Sequence, residues 1–288
     1  MREETSAVLN NRRRRHTLIV IAGAMLVQPA YPQVAKIQES FETGTLDSKI
    51  WQPSNTDGCS AIVETGDAAE GTRYLRSSLT AKPPTGGNYR CEQNARGVGV
   101  GAQLGVTYYY GMSFRVPADF AYDAQSGEAI MQLHHQPTSG SHSHHAVRIN
   151  NRLLEWVAHG DAGGPSVDLA PLARGQWTRV CVRATWTTND TGDLKVWLNP
   201  SSESSTPAFQ WSGQTVPSDY TNLGKFKVGI YKPNWRTANF PTPFNSATSP
   251  RIVEHDDVRV GTSFADGCGA GSTAPIPIPK PPISVAVE

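Results

Sequence analysis

Short runs in which apolar and polar side chains alternate, each closed by Gly, Pro, Asn or Asp, recur along this chain with no sustained helical period between them. The runs at 106–116, 129–134, 146–149, 177–186, 194–198, 225–231 and 257–260 each suit a strand with one buried and one open face. Such a strand cannot bury its apolar face alone, and the lack of helical segments between the runs removes the βαβ solution. What is left is an all-β sandwich of antiparallel strands. The segment Trp186-Thr-Thr-Asn-Asp-Thr-Gly-Asp-Leu194 joins two of the runs and reads as a hairpin with a Gly-containing turn. It carries a glycosylation sequon, Asn189-Asp190-Thr191, which matters in a eukaryotic host.

The two ends read differently from the middle. Arg12 to Arg15 precede an apolar run from Thr17 to Val27, and 28–35 forms a small and polar exit, the layout of an export signal. Arg14 and Arg15 also fit, less well, a twin-arginine signal. The apolar run is too short to span a bilayer. From Gly269 the chain passes through Gly, Ser and Ala into Pro275, Pro277, Pro279, Pro281 and Pro282, which favours an extended, solvated tail. The expected organisation is an export segment at 1–35, one folded domain at 36–268 and a Pro-rich disordered tail at 269–288, in a secreted or periplasmic protein.

Charge has to be read by region. The whole chain carries 26 Lys+Arg and 25 Asp+Glu, a net +1. Loss of 1–35 removes Arg2, Arg12 to Arg15, Glu3 and Glu4, leaving 21 basic against 23 acidic residues, a net −2. No nucleic-acid or membrane partner is expected of such a domain, and it is expected to act as a monomer. Four cysteines, Cys59, Cys91, Cys181 and Cys268, show neither C-x-x-C nor zinc-ribbon spacing. Export permits disulfides; three full pairings are open, as are buried thiols.

Three segments gather ionisable residues at every second position, hence on one face. In Tyr89-Arg90-Cys91-Glu92-Gln93, Arg90 and Glu92 point one way and Cys91 the other. In Ile130-Met131-Gln132-Leu133-His134, Gln132 and His134 share a face while Met131 and Leu133 supply core. In Phe226-Lys227-Val228-Gly229-Ile230-Tyr231, Lys227 and Tyr231 flank Gly229 while Phe226, Val228 and Ile230 point inward. Ordinary half-exposed sandwich strands show the same alternation. An amide, imidazole, phenol and ammonium gathered on one sheet face would be a different matter, but spacing alone does not make the three strands neighbours.

In the same order, these segments resemble the signature strands of the jelly-roll polysaccharide lyases, the group that includes the alginate lyases and the heparin lyase I type enzymes. The patterns R-S-E-L-R, Q-[IV]-H and Y-F-K-A-G-V-Y-N-Q are similar to Arg90-Cys-Glu92-Gln-Asn94, Gln132-Leu-His134 and Lys225-Phe-Lys227-Val-Gly-Ile-Tyr231-Lys232-Pro233. Asn94 stands where the first pattern has its second Arg, and Lys232-Pro233 where the third has Asn-Gln. Tyr110-Gly-Met-Ser-Phe-Arg-Val-Pro117, Arg174-Gly-Gln-Trp177 with Trp186, Val196-Trp-Leu-Asn199 and Asp256-Asp-Val-Arg-Val-Gly261 extend the likeness over most of 40–264.

The resemblance implies a concanavalin A-like β-jelly-roll of two antiparallel sheets that cleaves a uronic-acid polysaccharide, such as glucuronan or alginate, by β-elimination. The C5 proton is barely acidic while the neighbouring carboxylate keeps its charge, so that charge must first be neutralised. Gln132, with Arg90 and His134, is the expected neutraliser. Tyr231 is the expected acid on the leaving oxygen, Lys227 helps to hold a phenolate, and either Tyr231 or His134 removes the proton according to the epimer cleaved. Glu92 joins the substrate-binding set. No cofactor or metal is needed.

Two flanking stretches complete the expected substrate groove. His134-His135-Gln-Pro-Thr-Ser-Gly-Ser-His142-Ser-His144-His145 is dense in histidine, but it lacks H-E-x-x-H and reads as a loop whose His142, His144 or His145 meet sugar oxygens. After Tyr231, the residues Lys232, Trp235 and Arg236 offer an aromatic and cationic subsite for an acidic sugar. Three other functions compete, the last of them a metalloprotein using the histidine-rich loop. A sandwich-fold glycoside hydrolase needs two carboxylates across the scissile bond, and no E-x-D-x-x-E strand is present. A non-catalytic carbohydrate-binding sandwich has no use for the Gln-His and Lys-Tyr combination.

Overall fold

A computed structural model of the chain describes residues 37–81, 89–95, 103–124, 126–137, 144–158, 166–216, 218–235 and 248–269. By backbone proximity the chain divides into Met1–Pro32 and Gln33–Glu288, and every described residue belongs to the second unit. The expected export segment and all but the first residue of the Pro-rich tail lie outside the described residues, as do His142 and Arg236.

The described residues form two antiparallel sheets. The first holds β1 (Ile37–Glu39), β3 (Cys59–Thr65), β4 (Arg73–Leu79), β6 (Thr107–Arg115), β11 (Thr178–Thr185), β12 (Asp193–Leu198), β13 (Phe209–Ser212) and β15 (Arg251–Gly261). Its order is β13-β12-β11-β6-β15-β4-β3, with β1 also on β15. The second holds β2 (Trp51–Asn55), β5 (Arg90–Ala95), β7 (Glu128–Pro137), β8 (His144–Asn150), β9 (Leu153–Ala158), β10 (Ser166–Pro171) and β14 (Tyr220–Tyr231), in the order β10-β9-β8-β7-β14-β5-β2. This is the expected sandwich. Neighbours in space are remote in sequence: β14 lies between β7 and β5, which is how three distant segments come to share one face.

All seven alternating runs fall on strands, because alternation sets the buried face. In β11 Val180, Val182 and Ala184 point into the core, as do Met131 and Leu133 of β7 and Phe226, Val228 and Ile230 of β14. Trp51, Trp156, Trp186, Tyr110 and Phe114 fill the same core, each worth about 1.5–3 kcal/mol or more in water exclusion. The predicted hairpin is present, with Thr185 paired to Asp193 and the Asn189 Oδ1 accepting from Thr191 N at 3.1 Å.

The cysteines settle into one of the three pairings, Cys59–Cys91 and Cys181–Cys268. The first links β3 of one sheet to β5 of the other. The second fixes the short helix α1 (Phe264–Cys268) to the outer face of the first sheet, where Tyr109, Trp197 and Phe264 pack around it. Ser263 caps this helix, its Oγ accepting from Asp266 N at 3.2 Å.

Candidate active site

Three neighbouring strands of the second sheet carry the expected residues. On β14 and β5, Tyr231 pairs with Arg90, Gly229 with Glu92, and Lys227 with Asn94. Towards β7, Lys227 pairs with Gln132 and Lys225 with His134, and His134 pairs in turn with His144 on β8. Directly opposed residues in antiparallel strands project to the same side. Arg90, Glu92, Gln132, His134, Lys227 and Tyr231 therefore share the sheet face opposite to the core.

Gly229 makes this alignment possible. Its φ of 133° is one that L side chains rarely adopt, and a Cβ there would lie 2.2 Å from the Cys91 carbonyl oxygen. The missing side chain lets β14 and β5 close up, and the β14–β7 register shifts between Val228 and Tyr231.

Glu92 is the electrostatic centre of the face and is only 2% exposed. Gln132 Nε2 donates to its Oε1, while Lys227 Nζ and Arg90 Nε stand 3.7 and 3.9 Å from its Oε2. Burial pushes the Glu92 carboxyl above its ordinary value, and the nearby Lys227 and Arg90 cations oppose that shift. Burial likewise pushes the Lys227 ammonium below its ordinary value, against the pull of Glu92. The Arg90 guanidinium carbon lies 4.9 Å from the Tyr231 ring centre. Arg90, His134 and Tyr231 are half-buried and accessible from the open face, whereas Gln132 and Lys227 form its floor.

Several expectations need correction. Glu92 is enclosed by donors of its own chain, so it braces Gln132 and Lys227 rather than lining a sugar subsite. Lys232 is 0% exposed; as the residue after Tyr231 it projects to the opposite side, where Asp123 and Glu128 receive its ammonium at 2.7 and 2.8 Å. Trp235 is 1% exposed and packs edge-on against Tyr89, with ring centres 5.4 Å apart. Both belong to the interior and offer no aromatic or cationic subsite. His145 is also interior: Nε2 donates to the Thr215 carbonyl at 2.8 Å and the ring stacks on Trp156. His144 is placed on β8 by its backbone.

Two further residues stand on this face, neither of them given a role from sequence. Lys225 is exposed beside His134, two positions before Lys227, so strand alternation already carried the signal. Asn94, paired with Lys227, is nine-tenths buried, and its Oδ1 has no hydrogen-bond partner among the described residues. Arg90, Lys225 and Lys227 against Glu92 give this part of the face an excess of two positive charges, a local field suited to an anion in a domain with little net charge. Among the described residues no group of three or more His, Cys, Asp or Glu side chains is arranged to hold a metal ion.

Residues 41–259 match the family model described as polysaccharide lyase. No curated protein matches the chain. Among solved structures it is similar to an endo-beta-1,4-glucuronan lyase from the fungus Trichoderma reesei, at 23% identity and a TM-score of 0.65 over 82% of this chain and 99% of that one. It is also similar to the alginate lyase vAL-1 from Chlorella virus, at 11% identity and a TM-score of 0.51 over 79% of this chain and 99% of that one. A GH131 beta-glucanase catalytic domain from Podospora anserina aligns at 15% identity with a TM-score of 0.49, over 77% and 88% of the two chains. At these identities the likeness is one of fold.

Proposed function

The chain belongs to the polysaccharide lyase family, and from that premise we propose that it is an exported enzyme cleaving a polyuronate by β-elimination. The observation that carries this reading is the gathering of Arg90, Gln132, His134, Lys227 and Tyr231 on one sheet face around the buried Glu92. A primary amide has two N–H donors. With one held by Glu92, Gln132 keeps a second for the uronate carboxylate, and Arg90 adds positive charge. That neutralisation stabilises the carbanionic charge that develops when the C5 proton leaves.

Tyr231 then protonates the oxygen departing from C4. It or His134 takes the C5 proton, as the stereochemistry of the sugar dictates. The elimination leaves a C4–C5 double bond and consumes no water. A glycosidase mechanism fits less well, because Glu92, the carboxylate at the centre, is enclosed by Gln132, Lys227 and Arg90 and is not placed across a bond from a second acid. Export is supported by the basic and apolar N-terminal segment and by two disulfides.

Glucuronan heads the substrate panel, since the glucuronan lyase aligns with the higher TM-score of the two lyases and Asn94 replaces the second Arg of the alginate-lyase pattern. The test is incubation of the purified chain with glucuronan, alginate and heparin while following the absorbance of the conjugated double bond. A rise with at least one polymer, slowed about 100-fold or more by Tyr231→Phe, is expected. No rise with any polyuronate overturns the reading.

A further inference from the structure

On the core side of the sheet, directly behind Tyr231, lies a buried ion cluster. Lys232 Nζ donates to Asp123 Oδ2 at 2.7 Å, to Glu128 Oε2 at 2.8 Å and to the Ser126 carbonyl. Arg251 Nη2 donates to Glu128 Oε1 at 2.5 Å, and Nη1 donates to the Ala121 carbonyl at 2.6 Å. Two cations meet two carboxylates, all almost fully enclosed. Such a cluster is weak evidence for stability, because desolvation offsets much of the attraction; its best-attested use is to select one registry over another.

Registry is what this part of the sheet needs. The β14–β7 pairing shifts between Val228 and Tyr231 at the Gly229 distortion and resumes with Tyr231 opposite Ala129. Glu128, the neighbour of Ala129, receives Lys232, the neighbour of Tyr231, immediately after the shift. On the other flank Lys232 N donates to the Tyr89 carbonyl at 2.9 Å, which extends the β14–β5 ladder past the Tyr231–Arg90 pair. A slip of one residue would turn Tyr231 into the core and bring Lys232 out to the open face. It would also strand Asp123 and Glu128 without their ammonium, a heavy cost in a buried setting.

We propose that Asp123, Glu128, Lys232 and Arg251 are positioning residues for Tyr231, fixing the register in which β14 leaves the Gly229 distortion so that the phenol emerges beside Arg90. The inference rests on Tyr231 being the acid–base group proposed above.

The experiment compares Lys232→Met and the charge-balanced pair Lys232→Met/Glu128→Gln with the native chain, each also built in the Tyr231→Phe background. Kinetics are read on the polyuronate that the native chain cleaves, and folding by circular dichroism. The expected result is a fall in kcat of at least tenfold with KM within threefold. In the Tyr231→Phe background the same changes lower the residual rate by less than twofold, because a displaced tyrosine cannot be lost twice. The proposal is overturned if a folded variant keeps kcat within twofold of native, or if the loss is equally large without the phenol. Should neither Lys232 variant fold, Asp123→Asn keeps the side-chain shape and decides by the same readings. A Tyr231→Phe chain as active as native overturns the role of Tyr231 and this inference with it. A dead Tyr231→Phe beside a fully active Lys232 variant overturns this inference alone.

Discussion

Arg90 and Tyr231 meet twice, once as paired residues on β5 and β14 and again through their side chains, with the guanidinium carbon 4.9 Å from the ring centre. The pair places a permanent cation beside the group that must pass a proton to or from the sugar.

Tyr231→Phe keeps the ring under Arg90 and removes only the hydroxyl. Its kcat is expected to drop about 100- to 10,000-fold, the usual range for a lost general acid or base, with little change in KM. Steady-state kinetics on the cleaved polyuronate check this. Arg90→Ala should raise KM as well, because it also removes a charge that faces the substrate carboxylate.

Glu92 makes a pH prediction whose sign follows from its burial. Its folded value lies above the ordinary 4.5, so in the window from 4.5 up to that value the folded chain holds a proton that the unfolded chain has released. Stability therefore falls as pH rises through the window. Urea unfolding across it should show the fall in the native chain and lose that component in Glu92→Gln. The same variant is expected to lose about tenfold or more in kcat, since Gln132 is no longer held by a carboxylate.

His255 gives the opposite sign. It is buried, donates Nε2 to the Ile130 carbonyl at 3.1 Å, and is pushed down to about 4 by desolvation from its ordinary 6.5. Its contribution is complete above pH 6.5 and is lost as pH falls from 6.5 towards 4, because only the unfolded imidazole takes up a proton there. The loss amounts to about 3 kcal/mol at 1.36 kcal/mol per pH unit. Titration of the imidazole by NMR should give a midpoint near 4. A midpoint near 6.5 would show that the ring reaches water.

The two disulfides should separate stability from activity. Cys59–Cys91 closes a separation of 32 residues and Cys181–Cys268 one of 87, so removing either should cost about 2–5 kcal/mol, the longer loop somewhat more. Cys91 lies between Arg90 and Glu92, whereas Cys268 ends α1 and is tied to Cys181 on β11 of the other sheet. Replacing Cys59 and Cys91 by Ala is therefore expected to lower kcat several-fold, and replacing Cys181 and Cys268 to leave it nearly unchanged. Unfolding midpoints and initial rates of the two variants decide.

Alternation alone makes much of this arrangement legible in the sequence. Met131 and Leu133, or Phe226, Val228 and Ile230, announce an inner face, and the polar residues between them must then share the outer one. The same rule was silent on β2, Trp51–Asn55, a polar edge strand containing Pro53, and on β13, whose alternation is short. Lys232 and Trp235 were misread because Tyr-Lys-Pro-Asn-Trp has the composition of an exposed turn. The partners that take Lys232 inside, Asp123 and Glu128, lie more than a hundred positions earlier. Local composition carries no trace of a charge neutralised at that distance. Glu92 is read on the correct face beside Arg90 but as a substrate-binding residue, since its burial depends on Gln132 and Lys227 arriving from two other strands.

Elimination and hydrolysis differ in whether water enters the product. Cleavage of the preferred polyuronate in water enriched in oxygen-18, followed by mass spectrometry of the fragments, should give products with no label from the cleavage itself, each new non-reducing end carrying a C4–C5 double bond. Fragments that gain one labelled oxygen and lack the double bond would contradict the account and make the chain a hydrolase.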